Sequence, residues 1–269
     1  MKYFDDRGRR VPTNDVRVFA DEASDYYRLE QPDFNYGGVL ERSEKFNIAP
    51  SALSVSQFQI KAQSLLDIIN SNDDFSGLLR GVHVPFVYKH TATESDLGAN
   101  FQDIILPNVQ KSFNDRFPDS HFKAVLQSDT ELNGNISLDP LSGYDEFLDA
   151  SQQGVVGWYF PQALQEYDIK SQRSQMNGLP NLDGAGLCLS GGMDIGAALI
   201  GTPELLVSEE FYTPILCMSA FTHSDERMIL LLKSYGPHLE FWCMTQMLSK
   251  HTTQVSEQWA GGFTVFAKI

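Results

Sequence analysis

The sequence predicts an α+β fold, with helices mainly in the first two thirds of the chain and an antiparallel sheet in the last third. Two stretches, 54–69 and 96–116, place apolar residues at helical spacing. The last third instead carries five short strand-like runs, at 187–190, 215–221, 227–234, 239–244 and 263–268. The connection at 234–238 is too short for a helical crossover, so it predicts a hairpin and antiparallel pairing.

The first 47 residues predict an extended N-terminal arm, followed by a single α+β body at 48–269. Charged residues alternate in this arm with isolated aromatic residues, so the segment cannot bury much of its own surface. Because it is too aromatic for simple disorder, we expect its rings to dock on the body or on a neighbouring subunit. The candidate interface residues are Tyr3, Phe4, Phe19, Tyr26, Tyr27, Phe34 and Tyr36.

The remaining predicted elements of the body are strands at 81–89, 121–127 and 155–160 and a short helix at 144–150. Pro85 favours a sheet edge for the first of these strands, and Pro107 predicts a kink in the second predicted helix. The polar, turn-rich passages at 129–143 and 165–183 predict loops. A boundary between two lobes near 170–184 is the alternative to a single body.

Composition limits the classes of partner. Of the 269 residues, 42% are hydrophobic, which is enough for a substantial core. The formal net charge of −15 repels phosphate polymers and anionic lipid surfaces, so we expect neither free nucleic acid nor a membrane as partner. No apolar stretch reaches the roughly 18 to 20 residues that cross a bilayer.

The cysteines and the N-terminus predict a compartment. Cys188, Cys217 and Cys243 form an odd set without repeated spacing, and each lies in an apolar run, as reduced buried thiols do. Residues 1–10 are charged where a secretory signal would be apolar. We therefore expect a cytoplasmic protein, or one incorporated in a virion or another intracellular assembly.

The run Ser190-Gly191-Gly192-Met193-Asp194 follows an apolar strand and opens a helix. It resembles the PP-loop of the ATP pyrophosphatase family, in which such a turn holds a pyrophosphate. Glycines and a helix N-terminus would donate backbone N–H groups to the anion. The residue after Asp194 is Ile195, where that family has a hydroxyl, and the strands downstream read as antiparallel. The resemblance implies ATP binding.

A second motif begins on the strand that leads into the same turn. Cys188, His238 and Gln258 follow the order of nucleophile, base and orienting residue, which is similar to papain-like thiol enzymes, including bacterial effector deamidases with an orienting glutamine. An imidazole and a helix dipole lower a thiol pKa, and an amide fixes the ring tautomer. The resemblance implies a thiol hydrolase or deamidase. Cys188, however, lies between two leucines, which predicts a buried side chain.

No histidine pair has helical ligand spacing beside a suitable carboxylate, so we expect no metal and no cofactor. The aromatic arm, the loop-rich middle and the incomplete catalytic sets favour a non-catalytic structural or assembly subunit, of the virion or scaffold type, that engages protein subunits in a homo- or hetero-oligomer. The thiol enzyme is the first alternative. The PP-loop protein is the second.

Overall fold

The computed structural model describes residues 3–13, 26–90, 96–126, 131–245 and 258–269, and it confirms the α+β class. The helices are α1 Tyr36–Lys45, α2 Val55–Ser71, α3 Leu97–Asn100, α4 Leu106–Arg116, α5 Tyr144–Ser151, α6 Ile169–Asn177 and α7 Gly192–Gly201. The strands are β1 Val84–Tyr88, β2 Phe122–Leu126, β3 Ile136–Leu138, β4 Val155–Phe160, β5 Gly186–Leu189, β6 Ile215–Cys217, β7 Phe221–His223, β8 Met228–Tyr235, β9 His238–Thr245, β10 Trp259–Ala260 and β11 Phe263–Lys268.

A four-stranded antiparallel sheet in the order β1-β4-β11-β5 forms the centre of the fold. Its edge strand β1 contains Pro85, as the sequence predicts, because proline cannot donate a hydrogen bond to a second neighbour. Helix α2 packs against β4 and β11, and the indole N–H of Trp158 donates to the carbonyl of Ala62 at 2.8 Å. Helices α5 and α7 also pack against this sheet, so its strands read as nearly continuous apolar runs.

The second sheet has five strands in the order β10-β6-β8-β9-β2 and is mixed rather than purely antiparallel. Strands β8 and β9 form the predicted hairpin, in which Tyr235 pairs with His238 and Gly236 has a φ of 57°. The pairs β2–β9 and β10–β6 are parallel. The strands of the last third therefore divide among three sheets, because β5 and β11 belong to the four-stranded one and β7 pairs with β3 in a two-stranded one.

Helix α7 is buried along its whole length, since every residue from Gly192 to Gly201 is inaccessible. A helix that is apolar on all sides belongs in the interior of a fold. Gly196 permits close contact with α4 and the turn before it, because a Cβ there would lie 2.2 Å from Cγ2 of Ile105. This helix connects the four-stranded sheet to α1 and α4.

The predicted helix at 54–69 is confirmed as α2, which begins with a capping box between Ser54 and Gln57. The predicted helix at 96–116 is interrupted, as Pro107 suggests. Residues 101–105 form a π-helical turn, and Pro107 then lies in the first turn of α4. Proline is tolerated there because the first N–H groups of a helix have no intrahelical partner.

Four of the helices and strands in the described ranges lie where the sequence predicts none. Helix α1 falls within the predicted arm, β3 within the first predicted loop, α6 within the second, and β10 between the last two predicted strands. In α6 the buried face carries Gln172 and Gln175, whose side chains are satisfied by hydrogen bonds to Tyr167 and Thr13 rather than by apolar packing. A face of this kind gives no apolar periodicity from which a helix can be predicted.

Candidate functional site

Cys188, the predicted nucleophile, lies on β5 with its side chain fully buried. Burial raises the pKa of its thiol well above the ordinary value of 9.0, and the neighbouring carboxyl of Asp194 raises it further. Both effects disfavour the thiolate that a cysteine enzyme requires. Cys217 and Cys243 are buried as well, and burial raises the pKa of Cys217 to about 12.

The two residues predicted to assist Cys188 belong to the other sheet. The ring of His238, at the start of β9, stacks on that of His121 with centroids 3.6 Å apart. The Nδ1 atom of His238 accepts a hydrogen bond from the backbone N–H of His121. Gln258 lies just before β10, where its carbonyl accepts from the N–H of Ile215. The fold therefore places the predicted nucleophile on one sheet and the predicted base and orienting residue on the other.

The glycine turn before α7 encloses a buried carboxylate rather than an open anion site. Asp194 accepts hydrogen bonds from the N–H of Gly191 at 2.8 Å, from the hydroxyl of Tyr144 at 2.7 Å and from the hydroxyl of Thr264 at 2.5 Å. The Tyr144 hydroxyl in turn accepts from the N–H of Met193 at 3.0 Å. Side chains of this protein thus occupy the position at the helix N-terminus where a bound phosphate would lie.

Aromatic rings fill the space that the two glycines leave. A Cβ on Gly191 would lie 2.8 Å from the Tyr144 ring, and one on Gly192 would lie 2.6 Å from the Phe101 ring. In a PP-loop this space would receive the ligand. Although Asp194 accepts three hydrogen bonds, burial raises the pKa of its carboxyl above the ordinary value of 3.8. The arrangement suits a structural network that joins α7, α5 and β11.

Most of the predicted interface residues that the structure describes contact this same chain. Phe4 is buried against Phe75 and Phe263, and Phe34 and Tyr36 pack around the Trp158 ring. The guanidinium of Arg10 lies 4.8 Å from the centre of the half-buried Tyr3 ring. Phe19 lies outside the described residues. Tyr26, by contrast, is 56% exposed.

Tyr26 belongs to an aromatic group at the surface, which we call the tyrosine cluster and define as Tyr26, Tyr27 and Tyr212. Tyr26 stacks on Tyr212 with centroids 5.1 Å apart and an interplanar angle of 22°. Tyr27 meets Tyr26 edge to face. The backbone N–H of Arg28 donates to the carbonyl of Tyr212 at 3.0 Å, which fixes the two segments side by side. Tyr212 is 61% exposed, so the stacked pair presents ring surface to solvent.

A cavity of about 800 Å³ opens beside this cluster, and we call it the tyrosine cavity. Its floor is apolar and comes from the outer surface of the five-stranded sheet, through Ile215, Leu231 and Met244. Its rim carries charge and a further ring, through the exposed side chains of Glu209, Glu210 and Tyr235. An apolar floor under a polar aromatic rim is the usual composition of a protein-binding surface.

The aromatic pattern of the N-terminal segment predicts Tyr26 and Tyr27 as interface residues, and it does not extend to Tyr212 and Tyr235. A local pattern could have found Tyr212, because two glutamates directly precede Phe211 and Tyr212 and charged neighbours keep a loop at the surface. Tyr235 lies next to the Gly-Pro pair of the predicted hairpin, which is also an exposed position. The contact between the two tyrosine segments depends on the fold.

Over the described ranges, no group of three or more His, Cys, Asp or Glu side chains is arranged to hold a metal ion. Among the helices of the same ranges, none is long and apolar enough to cross a bilayer.

Comparison with known proteins adds no relative: no family model, no curated protein and no solved structure matches this chain.

Proposed function

We propose that this protein is a non-catalytic assembly subunit that binds a basic, partly apolar segment of a partner protein at the tyrosine cavity. The observation that carries the proposal is the exposed stacked pair of Tyr26 and Tyr212, of which Tyr212 lines that cavity. Tyrosine is enriched at the energetic centres of protein interfaces, because its large ring loses little rotamer entropy on binding. Two exposed tyrosine rings that already stack on each other form a preformed contact surface for a partner protein.

Charge favours a basic partner. The chain has a net charge of −15, and the lining of the cavity carries Glu209 and Glu210 against Lys233, which itself pairs with Glu240 at 3.5 Å. Aromatic faces attract guanidinium and ammonium groups, and this chain already uses that contact twice close to the cavity. The guanidinium carbon of Arg28 lies 4.6 Å from the ring centre of Phe211, and Nζ of Lys233 lies 4.4 Å from that of Trp242. An arginine or lysine from a partner would make the same kind of cation–π contact with the ring of Tyr212.

The described part of the N-terminal segment packs largely on this same chain. We therefore place the interface at the tyrosine cavity rather than along the whole segment. Phe4, Val39 and Leu40 are buried in the core of this chain. Deletion of residues 1–47 would therefore damage the fold rather than test assembly. Surface substitutions within the tyrosine cluster are the appropriate test.

The test uses a ten-residue peptide of alternating arginine and leucine, titrated into the full-length protein by isothermal titration calorimetry. We expect the peptide to bind, and we expect its affinity to fall about tenfold or more in the Tyr26→Ser, Tyr212→Ser double variant, which corresponds to about 1.4 kcal/mol or more. Leu141→Ser is the matched control, because Leu141 is 53% exposed and does not line the cavity.

Two results would overturn the proposal. One is equal binding of a peptide in which glutamate replaces every arginine, since charge would then play no part. The other is an unchanged affinity in the double variant with a retained circular dichroism spectrum. Light scattering with the same variants reports whether the protein's own oligomeric state depends on the cluster.

A further inference from the structure

A second cavity, of about 360 Å³, is lined by Arg7, Arg9, Arg28 and Arg80, and we call it the arginine pocket. The chain has only 20 lysines and arginines among 269 residues, so a group of four around one cavity is a strong local concentration. Two separate N-terminal stretches and the segment that leads into β1 bring these side chains together. Only the folded chain forms the pocket.

Ion pairs with carboxylates among the described residues hold the guanidinium groups of Arg9 and Arg80 in place. Arg9 donates to Asp5 at 2.9 Å and to Glu166 at 2.8 Å, and Arg80 donates to Asp6 at 2.5 Å. Positioned guanidinium groups bind an incoming anion with less loss of conformational entropy than mobile ones. Among the described residues, the lining combines these four arginines with the single carboxylate of Asp6.

The rest of the pocket is suited to an organic group. Leu29 and Val82 are buried and form an apolar floor. Gln162 also lines the pocket, and its side-chain oxygen accepts a hydrogen bond from the N–H of Val82 at 3.1 Å. The ring of Tyr27 completes the wall. A small cavity with an apolar floor, fixed polar groups and converging cations has the composition of a small-molecule site.

We propose that the arginine pocket binds the phosphate monoester of a small organic molecule of about the size of a mononucleotide. Planar guanidinium groups match the oxygen geometry of phosphate through paired hydrogen bonds. The apolar floor and the tyrosine ring contact the organic part. A nucleic acid polymer does not fit this description, because the net charge of −15 on the chain repels extended phosphate chains. The site lies apart from the floor of the tyrosine cavity and shares only Tyr27 with it.

The test titrates the full-length protein with phenyl phosphate, adenosine 5′-monophosphate, inorganic phosphate and adenosine at constant ionic strength, by isothermal titration calorimetry. We expect at least one of the two monoesters to bind more tightly than inorganic phosphate, and we expect adenosine to show no binding. Added salt weakens the binding, since the attraction is electrostatic.

The variant that tests the assignment is Arg7→Gln combined with Arg80→Gln, because both side chains are exposed and neither belongs to the tyrosine cavity. We expect it to weaken monoester binding about tenfold or more. Arg227→Gln is the matched control, since Arg227 is an exposed arginine paired with Asp225 away from the pocket. Circular dichroism verifies that both variants are folded.

Several outcomes would overturn the assignment. Absence of binding by both monoesters up to about 10 mM would remove the site. Equal affinity for inorganic phosphate and for both monoesters would exclude an organic ligand, and unchanged affinity in the Arg7→Gln, Arg80→Gln variant would place the anion elsewhere. Failure of the basic peptide to bind the tyrosine cavity leaves each of these results unaffected, because neither substituted arginine lines it.

Discussion

The glycine turn before α7 and the tyrosine cavity both contain residue types that bind ligands. The two regions differ in whether those side chains are buried within the chain or exposed to solvent. At the turn, Asp194 and Ser190 are fully buried and already hydrogen-bonded to other groups of the chain. At the cavity, Tyr26 and Tyr212 present ring surface to solvent. The comparison teaches that a motif with chemically capable residues is a binding site only where the fold leaves their contacts unfilled.

The largest expected effect is the protection of the cysteine thiols. Cys188, Cys217 and Cys243 are buried, and burial raises the pKa of the first two. We expect alkylation of all three in the native protein to be at least about a thousandfold slower than in denaturant, because reaction requires opening of the core. Mass spectrometry of the alkylated protein measures this. Rapid labelling of Cys188 alone would show that its thiol is accessible rather than buried. That result would contradict the contrast between the glycine turn and the tyrosine cavity and would favour the thiol-enzyme hypothesis.

Asp194→Ala should destabilise the protein severely. The change removes the acceptor of three hydrogen bonds, from Gly191, Tyr144 and Thr264, and leaves a cavity inside the core. We expect a loss of about 3 to 5 kcal/mol in the free energy of unfolding, measured by urea denaturation. Asp115→Ala is the control, since Asp115 pairs with Lys45 at the surface, and it should cost less than about 1 kcal/mol. Equal losses in the two variants would be inconsistent with a structural network.

Gly196→Ala tests the packing of the buried helix. Alanine normally stabilises a helix interior relative to glycine. Here the added Cβ would lie 2.2 Å from Cγ2 of Ile105, so steric overlap reverses the sign. We expect a loss of about 1 to 3 kcal/mol by the same urea measurement. A smaller loss from Gly196→Ala in an Ile105→Ala background than in the wild type would identify this contact as the cause.

The buried carboxyl should also leave a signature in the pH dependence of stability. Burial raises the pKa of Asp194 above its ordinary value of 3.8, so this group takes up a proton on folding between the unfolded and folded values. Its contribution to stability is therefore largest below the unfolded value and falls as the pH rises through the folded one. We expect the free energy of unfolding of the wild type, relative to Asp194→Asn, to decrease as the pH rises from the ordinary value of 3.8 through the raised folded value. An increase over that interval would show that the carboxylate form is favoured.

The smallest effect is expected at the tyrosine cluster. Tyr212 is 61% exposed, and replacement by serine removes little buried surface. We expect Tyr212→Ser to change the free energy of unfolding by less than about 0.5 kcal/mol, measured by urea denaturation. A large loss would mean that the cluster supports the fold, and the contrast with the glycine turn would then disappear.

Local patterns were enough to predict much of the fold. The apolar spacing at 54–69 identified α2, and the short break at 234–238 identified the hairpin of β8 and β9. Pro85 and Pro107 correctly marked a sheet edge and a helix interruption, because a missing N–H acts within a few residues of the proline. The leucines on both sides of Cys188 correctly predicted that its thiol is buried.

The elements that sequence reasoning missed have polar or short buried faces. Helix α6 is held through Gln172 and Gln175, and β3 has three residues and pairs with β7 from a distant part of the chain. Their stability comes from hydrogen bonds between distant residues, which leave no period in the local sequence.

The amino-acid sequence alone established the α+β class, the acidic charge and the strand-to-helix turn at Ser190–Asp194. Its residue types were compatible with packing, with thiol catalysis and with anion binding. Only the tertiary structure filled that turn with Tyr144 and Phe101, and only it brought Tyr26 to Tyr212 and four arginines around one cavity. The physical reason is that local order follows from the period and shape of neighbouring side chains, whereas the solvation of a functional group depends on whatever distant segment packs against it.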